Sequence, residues 1–303
     1  MAHEAVAVEA GPPRAAARRP GIDRARLAGA LLGAMVWGSA LLVTGVFGWL
    51  LWDVLSQGLP AVSWSFLTEA PADAGRAGGI GPIIVSTLLI LAVCMGVSLP
   101  LGLGAAMALA EFTHAERGLG HALRRLLDVL AAVPSIVFGL FGNAVFAVHL
   151  GLGFSIASGG LTLACMVLPI LIRTTESAFA AVPEEIRLGA AALGLSHRRR
   201  LLSLLLPVAL PGLMAGFALG LGRAIAETAA LVFTSGYVDR MPGSLLDSGR
   251  ALSVHIYDLA ANISGGEVRA FASAAVLVVI LLLLNAGALW LARRWQRRHL
   301  MME

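Results

Sequence analysis

Apolar residues along this 303-residue chain do not alternate with polar ones. They run in long blocks separated by short polar links that carry arginine. Six blocks stand at about 27–55, 82–110, 126–150, 161–181, 204–233 and 270–292. Each exceeds the roughly 20 residues that a helix needs to cross a hydrocarbon core about 30 Å thick. The pattern predicts an all-α integral membrane fold with six transmembrane helices. The first block is too long for a signal-peptide core and has no small-residue cleavage site, so it reads as a retained span.

The links are informative in turn. Residues 1–26, rich in Ala, Pro and Arg, lack hydrophobic periodicity and read as a disordered basic tail, which leaves 27–303 as one six-span domain. Residues 58–81 form an external loop whose Trp64 and Phe66 suit the membrane interface. The link through Glu111, Glu116, Arg117, His121, Arg124 and Arg125 is polar, with Asp128 expected at headgroup level. Residues 151–160 make a short turn. In a second external segment, 236–269, residues 245–263 suggest a partly amphipathic helix lying against the bundle.

The most polar interruption is the central loop at about 182–203. Pro183 suits the first position of a helix, and Glu184 and Glu185 put negative charge where the helix dipole favours it. Gly194 offers a stop and Ser196 a cap for a second helix. His197, Arg198, Arg199 and Arg200 then crowd that helix's first turn with charge its dipole disfavours. An anionic cytoplasmic membrane surface supplies the missing stabilisation.

Composition excludes several classes. With 58% hydrophobic and 13% charged residues, and a mean hydropathy of +0.85, the chain is too apolar to keep its surface in water. The net charge of +4 does not point to nucleic acid, because the basic residues cluster at the ends of apolar runs and do not interleave with stacking aromatics. There is no lysine, hence no phosphate-binding lysine of a nucleotide loop and no ATP-hydrolysis site of that kind. Cys94 and Cys165 lie in apolar runs and behave as small hydrophobes. His114, His121, His149, His197, His255 and His299 show no metal-ligand spacing. Sixteen arginines flank the spans on the side of the tail, the central loop and the C-terminus, against four (Arg76, Arg240, Arg250, Arg269) on the other. That asymmetry predicts both termini and the central loop in the cytoplasm.

Two charge pairs fall within the spans. Arg223 and Glu227 are four residues apart and share a helix face, followed by Thr228. Intramembrane charge points to a pathway or binding site, and an Arg guanidinium matches an oxyanion with two parallel hydrogen bonds. A structural ion pair that fixes helix packing is the alternative. Arg173 and Glu176, near the cytoplasmic end of the fourth span, read as structural, with Arg173 reaching for the interface. Gly102, Gly104, Gly216, Gly220 and Gly222 read as close helix contacts.

The central loop resembles the signature of ABC-importer permeases: Glu-Ala-Ala, three residues, Gly, nine residues, Ile-x-Leu-Pro. Aligned on Gly194, Leu188-Gly189-Ala190 stands for Glu-Ala-Ala, and Leu204-Leu205-Leu206-Pro207 for the last element, so the spacing is kept and the Glu is lost. The resemblance implies the type I ABC-importer permease architecture, with Glu184, Glu185, Arg187, Leu188, Gly189, Ala190, Gly194, Leu206 and Pro207 in a loop that couples to an ATPase. The segment from Gly222 to Thr228, followed by Leu231-Val232-Phe233-Thr234, is similar to phosphate permeases, in which this Arg and Glu lie on the substrate path. Phe66-Leu67-Thr68-Glu69, Gly78-Gly79-Ile80-Gly81-Pro82 and Val254-His255-Ile256-Tyr257 resemble the A-type subunit; Ala229, where the C-type sister has Met, agrees.

Implied partners are a C-type permease subunit, two copies of an ATPase that binds ATP and Mg, a periplasmic phosphate-binding protein and membrane lipid. The implied location is the bacterial inner membrane. The alternatives are a permease for another oxyanion, phosphonate or sulfate, or the sister C-type phosphate permease subunit. An ion-coupled secondary transporter lacks a use for the signature loop, and an intramembrane enzyme would need a nucleophile or ligand set that the sequence does not offer.

The arginine asymmetry carries a topological prediction. A cysteine at Ser196 should be shielded from impermeant thiol reagents in intact cells, and one at Ser248 should label; the opposite pattern would invert the topology.

Overall fold

A computed structural model of the chain describes residues 20–111 and 118–300, which are almost wholly helical. The chain divides into two units, residues 1–53 and 54–303. The described part of the first is the opening of α1 (Pro20–Gly58), whose apolar stretch is long enough to cross a membrane. Residues 20–26, expected to be disordered, are helical; residues 1–19 lie outside the described residues, as do Glu116 and Arg117.

The second unit opens with a compact cap. Ser63 accepts a hydrogen bond from the Phe66 amide and so starts α2 (Trp64–Thr68). A two-residue hairpin follows, β1 (Pro71–Ala72) paired with β2 (Ala77–Gly78). The chain then folds back so that the Ile80 amide donates to the Phe66 carbonyl at 2.7 Å and Gly81 to Glu69 at 3.0 Å. Gly79 permits this approach, since a Cβ there would sit 2.6 Å from the Phe66 carbonyl oxygen. Phe66 is therefore core and not an interfacial aromatic, whereas Trp64 is exposed. Gly75, in the left-handed region at φ +92°, lies over the imidazole of His255 on α11 (Leu252–Ala261). That helix occupies only part of the expected 245–263. Burial holds the His255 imidazole neutral, with its pKa pushed down to about 4.

The bundle is built on α3 (Gly81–Glu111) and α6 (Ile156–Ala180), which pack along most of their lengths through Ile90, Cys94, Leu163 and Val167. α9 (Leu206–Ile225) lies against α6 where Gly216 faces Thr174 and Gly220 faces Val167. Gly102 likewise faces Leu171. Gly104 and Gly222 have open space beside them, so close packing does not account for those two. α12 (Glu267–Leu300) closes the unit and extends beyond the expected 270–292 at both ends.

The expected straight third span is instead two helices, α4 (Gly118–Ala132) and α5 (Ser135–Gly142), the latter continued by a π-helical turn, Asn143–His149. They meet at a 97° bend. Pro134 disfavours helical backbone at Val133 and has no amide to continue the ladder. Among the described residues, five helices are thus long and apolar enough to span, or six if the bent pair counts as one.

α4 is amphipathic, and its polar face makes an ion-pair network. Arg124 donates to Glu176 at 2.6 Å and to the carbonyl of Leu109 at 3.2 Å. Arg173 pairs with Glu176 at 3.2 Å and with Asp128 at 3.0 Å. The network joins α3, α4 and α6, so Asp128 is a partner of Arg173 and not simply a headgroup-level charge. Glu176 is largely buried, and removing one partner of a buried pair leaves a charge without compensation. Arg124→Gln should therefore lower stability by about 3 kcal/mol, and Arg124→Gln with Glu176→Gln should recover most of it. Thermal unfolding in detergent reads this, and an unshifted single variant would show that the network does not hold α4.

Candidate functional site

Two places gather the polar residues singled out in the sequence, at opposite ends of α9. The first is a break in the chain. α9 stops at Ile225, earlier than the expected end near 233, and a short helix, α10 (Ala229–Val232), restarts after Ala226, Glu227 and Thr228. Helix ends leave carbonyl and amide groups without partners, so a break in an apolar setting needs polar substitutes. Here they are specific. Glu227 Oε1 accepts the Ala230 amide at 3.3 Å at the start of α10. The Glu227 carbonyl accepts the Ser253 hydroxyl at 2.6 Å, which ties the break to α11. Asn143 donates to the Phe233 carbonyl at 2.8 Å just beyond α10, and Gly139 brings α5 against the backbone of Ala230.

Arg223 sits in the last turn of α9, where the helix dipole favours a cation. Its Nη2 lies 3.4 Å from Glu227 Oε2 and 3.7 Å from the Met166 sulfur on α6. The two partners differ sharply in exposure: the Glu227 side chain is 4% exposed and that of Arg223 is 44% exposed. Glu227 is thus anchored from several sides, and Arg223 is held at one edge of its planar fork. The Thr228 side chain, half-buried, makes no hydrogen bond among the described residues. A partly exposed guanidinium steadied by a buried carboxylate can accept a second, exchangeable anion. Gly222 leaves room beside it, since a Cβ at that position would meet nothing within 4 Å.

The second place is the central loop. α7 (Glu184–Ala192) starts after Pro183, and Glu184 and Glu185 are exposed in its first turn. Gly194 has φ +64° and ends the helix, and Ser196 Oγ accepts the Arg199 amide at 3.4 Å to open α8 (His197–Arg200). Leu188 is 62% exposed, Gly189 is exposed, and Ala190 is buried. Arg187 turns inward and donates to the Phe179 carbonyl at 2.7 Å, near the end of α6. A π-helical turn, Leu201–Leu205, leads into α9, with Leu206 packed beside Phe179 and Leu205 and Pro207 in the first turn.

Residues 98–299 match the family described as the binding-protein-dependent transport system inner membrane component. The chain belongs to that family. The matched stretch contains both places, the break after α9 and the central loop. This permease is 30% identical over 267 residues to a probable ABC transporter permease protein, YqgI, of Bacillus subtilis, which covers 83% of this chain and 89% of that protein. It is 34% identical over 254 residues to the phosphate transport system permease protein PstA 2 of Mycobacterium bovis, covering 81% and 82% respectively. In fold it is similar to an ABC transporter that imports the polysaccharide alginate, with a TM-score of 0.54 at 15% identity over 90% of this chain and 97% of that one. The inward-facing MetNI methionine transporter gives a TM-score of 0.50 at 18% identity over 73% and 94%. Permeases of this family work with an ATPase and a substrate-binding protein.

Met166, Ser253 and Asn143 are parts of the break that sequence reasoning missed. Each is an ordinary residue in an apolar or external run, and only the fold brings it to Glu227, Arg223 or Phe233. The signal present in the sequence was Asn143 itself, a polar residue in a long apolar block.

Proposed function

We propose that this chain is the A-type permease subunit of an inorganic phosphate importer. The observation that carries the reading is the half-exposed Arg223 fork, held at one edge by buried Glu227 where α9 breaks. The similarity to PstA 2 supports phosphate as the anion. Arg223, Glu227 and Thr228 then form a transient station on the path, weak enough to release its anion because Glu227 competes for the same guanidinium. The central loop lies at the other end of α9. There Glu184 or Glu185 supplies the charge that Leu188 cannot, meeting a basic group on the ATPase. Glu184, Glu185, Leu188 and Gly189 offer the exposed docking face, and Ala190, Gly194, Leu206 and Pro207 shape its base. Arg187 fastens the loop to α6.

The complex in this reading holds a C-type sister permease, two copies of the ATPase with their ATP and Mg, and a periplasmic phosphate-binding protein. It sits in the bacterial inner membrane with both termini in the cytoplasm. ATP-driven closure of the ATPase pair moves the central loops, and α6 and α9 carry that motion to the break.

Uptake of labelled phosphate by the reconstituted complex tests both halves. Arg223→Lys keeps the charge but loses the fork, and should cut uptake roughly tenfold to a hundredfold, the worth of a charge-assisted hydrogen bond, without loss of assembly. Glu184→Arg with Glu185→Arg should leave basal ATP hydrolysis intact and abolish its stimulation by the binding protein. Parent-level uptake by the Arg223 variant would refute the path assignment. Sulfate or phosphonate uptake at the expense of phosphate would reassign the cargo.

A further inference from the structure

Arg223 and Arg173 lie on one open flank of the contact between α6 and α9. Gly216 and Gly220 set α9 directly against Thr174 and Val167, and Met166, next to Val167, touches Arg223 to one side of that contact. The same side of α6 carries Ile170 and Arg173, at successive spacings of four and three from Met166. On α9 it carries Leu219 and Ala215, at spacings of four running back from Arg223. Ala215 and Leu219 are exposed and Ile170 is half-buried, so the flank is open. Arg173 stands seven residues along α6 from Met166, about 10 Å of helix rise toward the central loop.

Arg173 repeats the arrangement found at Arg223. Its side chain is 41% exposed, close to that of Arg223. Its Nη1 lies 3.2 Å from Oε2 of the largely buried Glu176, which Arg124 holds from the other side. The two arginines differ at the remaining edge. Arg173 Nε is 3.0 Å from Asp128 Oδ1, and Nη2 donates to Oδ2 at 3.4 Å, so the Asp128 carboxylate meets the guanidinium through both oxygens, as an oxyanion would. Asp128 is 56% exposed, and an exposed carboxylate is held weakly enough for another anion to replace it.

We propose that Arg173 is a second binding residue for the transported oxyanion, on the central-loop side of Arg223, and that Asp128 occupies its fork when no anion is there. The proposal rests on the reading of Arg223 as a station on the path. Among the described residues, the flank between the two arginines offers only the apolar side chains of Ile170, Ala215 and Leu219, which give an anion nothing to hold it. An anion that leaves Arg223 on this side therefore next meets Arg173. There it replaces Asp128, and the return of the Asp128 carboxylate competes it off again. Glu176 keeps Arg173 in place throughout, as Glu227 does Arg223.

The test follows modification of Arg173 by phenylglyoxal, which reacts with accessible guanidinium groups, in the nucleotide-free complex in detergent washed free of phospholipid. Peptide mass measurement reads the extent. Inorganic phosphate should slow the reaction about tenfold in Asp128→Asn, where no carboxylate competes, and by less in the parent; chloride at the same ionic strength should not. Arg173→Lys keeps the charge and loses the fork, and should cut phosphate uptake by the reconstituted complex about tenfold at an unchanged melting temperature. Should Asp128→Asn fail to assemble, protection in the parent and uptake by Arg173→Lys decide the matter. Modification unaffected by phosphate, protection by added phosphatidylglycerol but not by inorganic phosphate, or uptake by Arg173→Lys that stays at the parent level or falls together with its melting temperature would overturn the proposal. Normal uptake by Arg173→Lys beside lost uptake by Arg223→Lys would sink this proposal alone, whereas normal uptake by Arg223→Lys would sink the path reading beneath it.

Discussion

Burying the carboxylate of Glu227 at the end of a membrane helix is the constraint on which the break after α9 depends. An ionised group in such a place is costly unless other groups replace the water it loses. The chain meets the cost by ending α9 there. The break frees the Ala230 amide for one carboxylate oxygen, and Arg223, four residues earlier, reaches the other. The Ser253 hydroxyl then takes up the carbonyl that the break leaves open. A continuous helix would have offered Glu227 no amide, because every one would already be bonded within the helix. The result is an asymmetry, with Glu227 fixed and Arg223 partly open, and the proposed anion station rests on it.

α6 is the element that links this end to the other. Near its middle Met166 touches Arg223; toward its end Glu176 and Arg173 hold α4; and the Phe179 carbonyl receives Arg187 from the central loop. α7 is thus tied to α6 by a hydrogen bond and to α9 by the π-helical turn that enters it, the two connections on which the proposed coupling rests. Rigid helices joined at their ends by polar contacts can transmit a shift without any change in their interiors. Pro100, Pro169 and Pro211 lie inside α3, α6 and α9, and each lacks the amide that would bond one turn back.

Much of this is legible in the sequence, and the exceptions have physical causes. Long apolar runs locate spans because lipid demands both apolar side chains and an unbroken backbone ladder. Pro183, Gly194 and Ser196 announce the ends of α7 and α8 for the same backbone reasons. Hydropathy is blind to direction, so the 97° bend at Pro134 is lost inside one apolar block. The amphipathic spacing of Arg124, Arg125 and Asp128 against Leu123, Leu126, Leu127 and Leu130 marks α4 as a separate helix, but the apolar count outweighs it. Phe66 is misplaced by sequence because an aromatic in an external loop suits an interface as well as a core, and only the return of Ile80 and Gly81 buries it. Arg223 and Glu227 are recognisable as a pair from their spacing of four; that the helix stops between them is not, because the groups that satisfy the backbone around the break, Ser253 at Glu227 and Asn143 at Phe233, are far away in sequence.

The most direct measurement is of contact between the anion and Arg223. Solid-state magnetic resonance can recouple phosphorus to the guanidinium nitrogens of nitrogen-labelled arginine in a complex trapped during transport. A hydrogen-bonded phosphorus-to-nitrogen contact is expected in the parent and should vanish in Arg223→Lys while the other arginine signals persist. The same contact in both proteins, or none in either, would contradict the assignment of Arg223 to the substrate path.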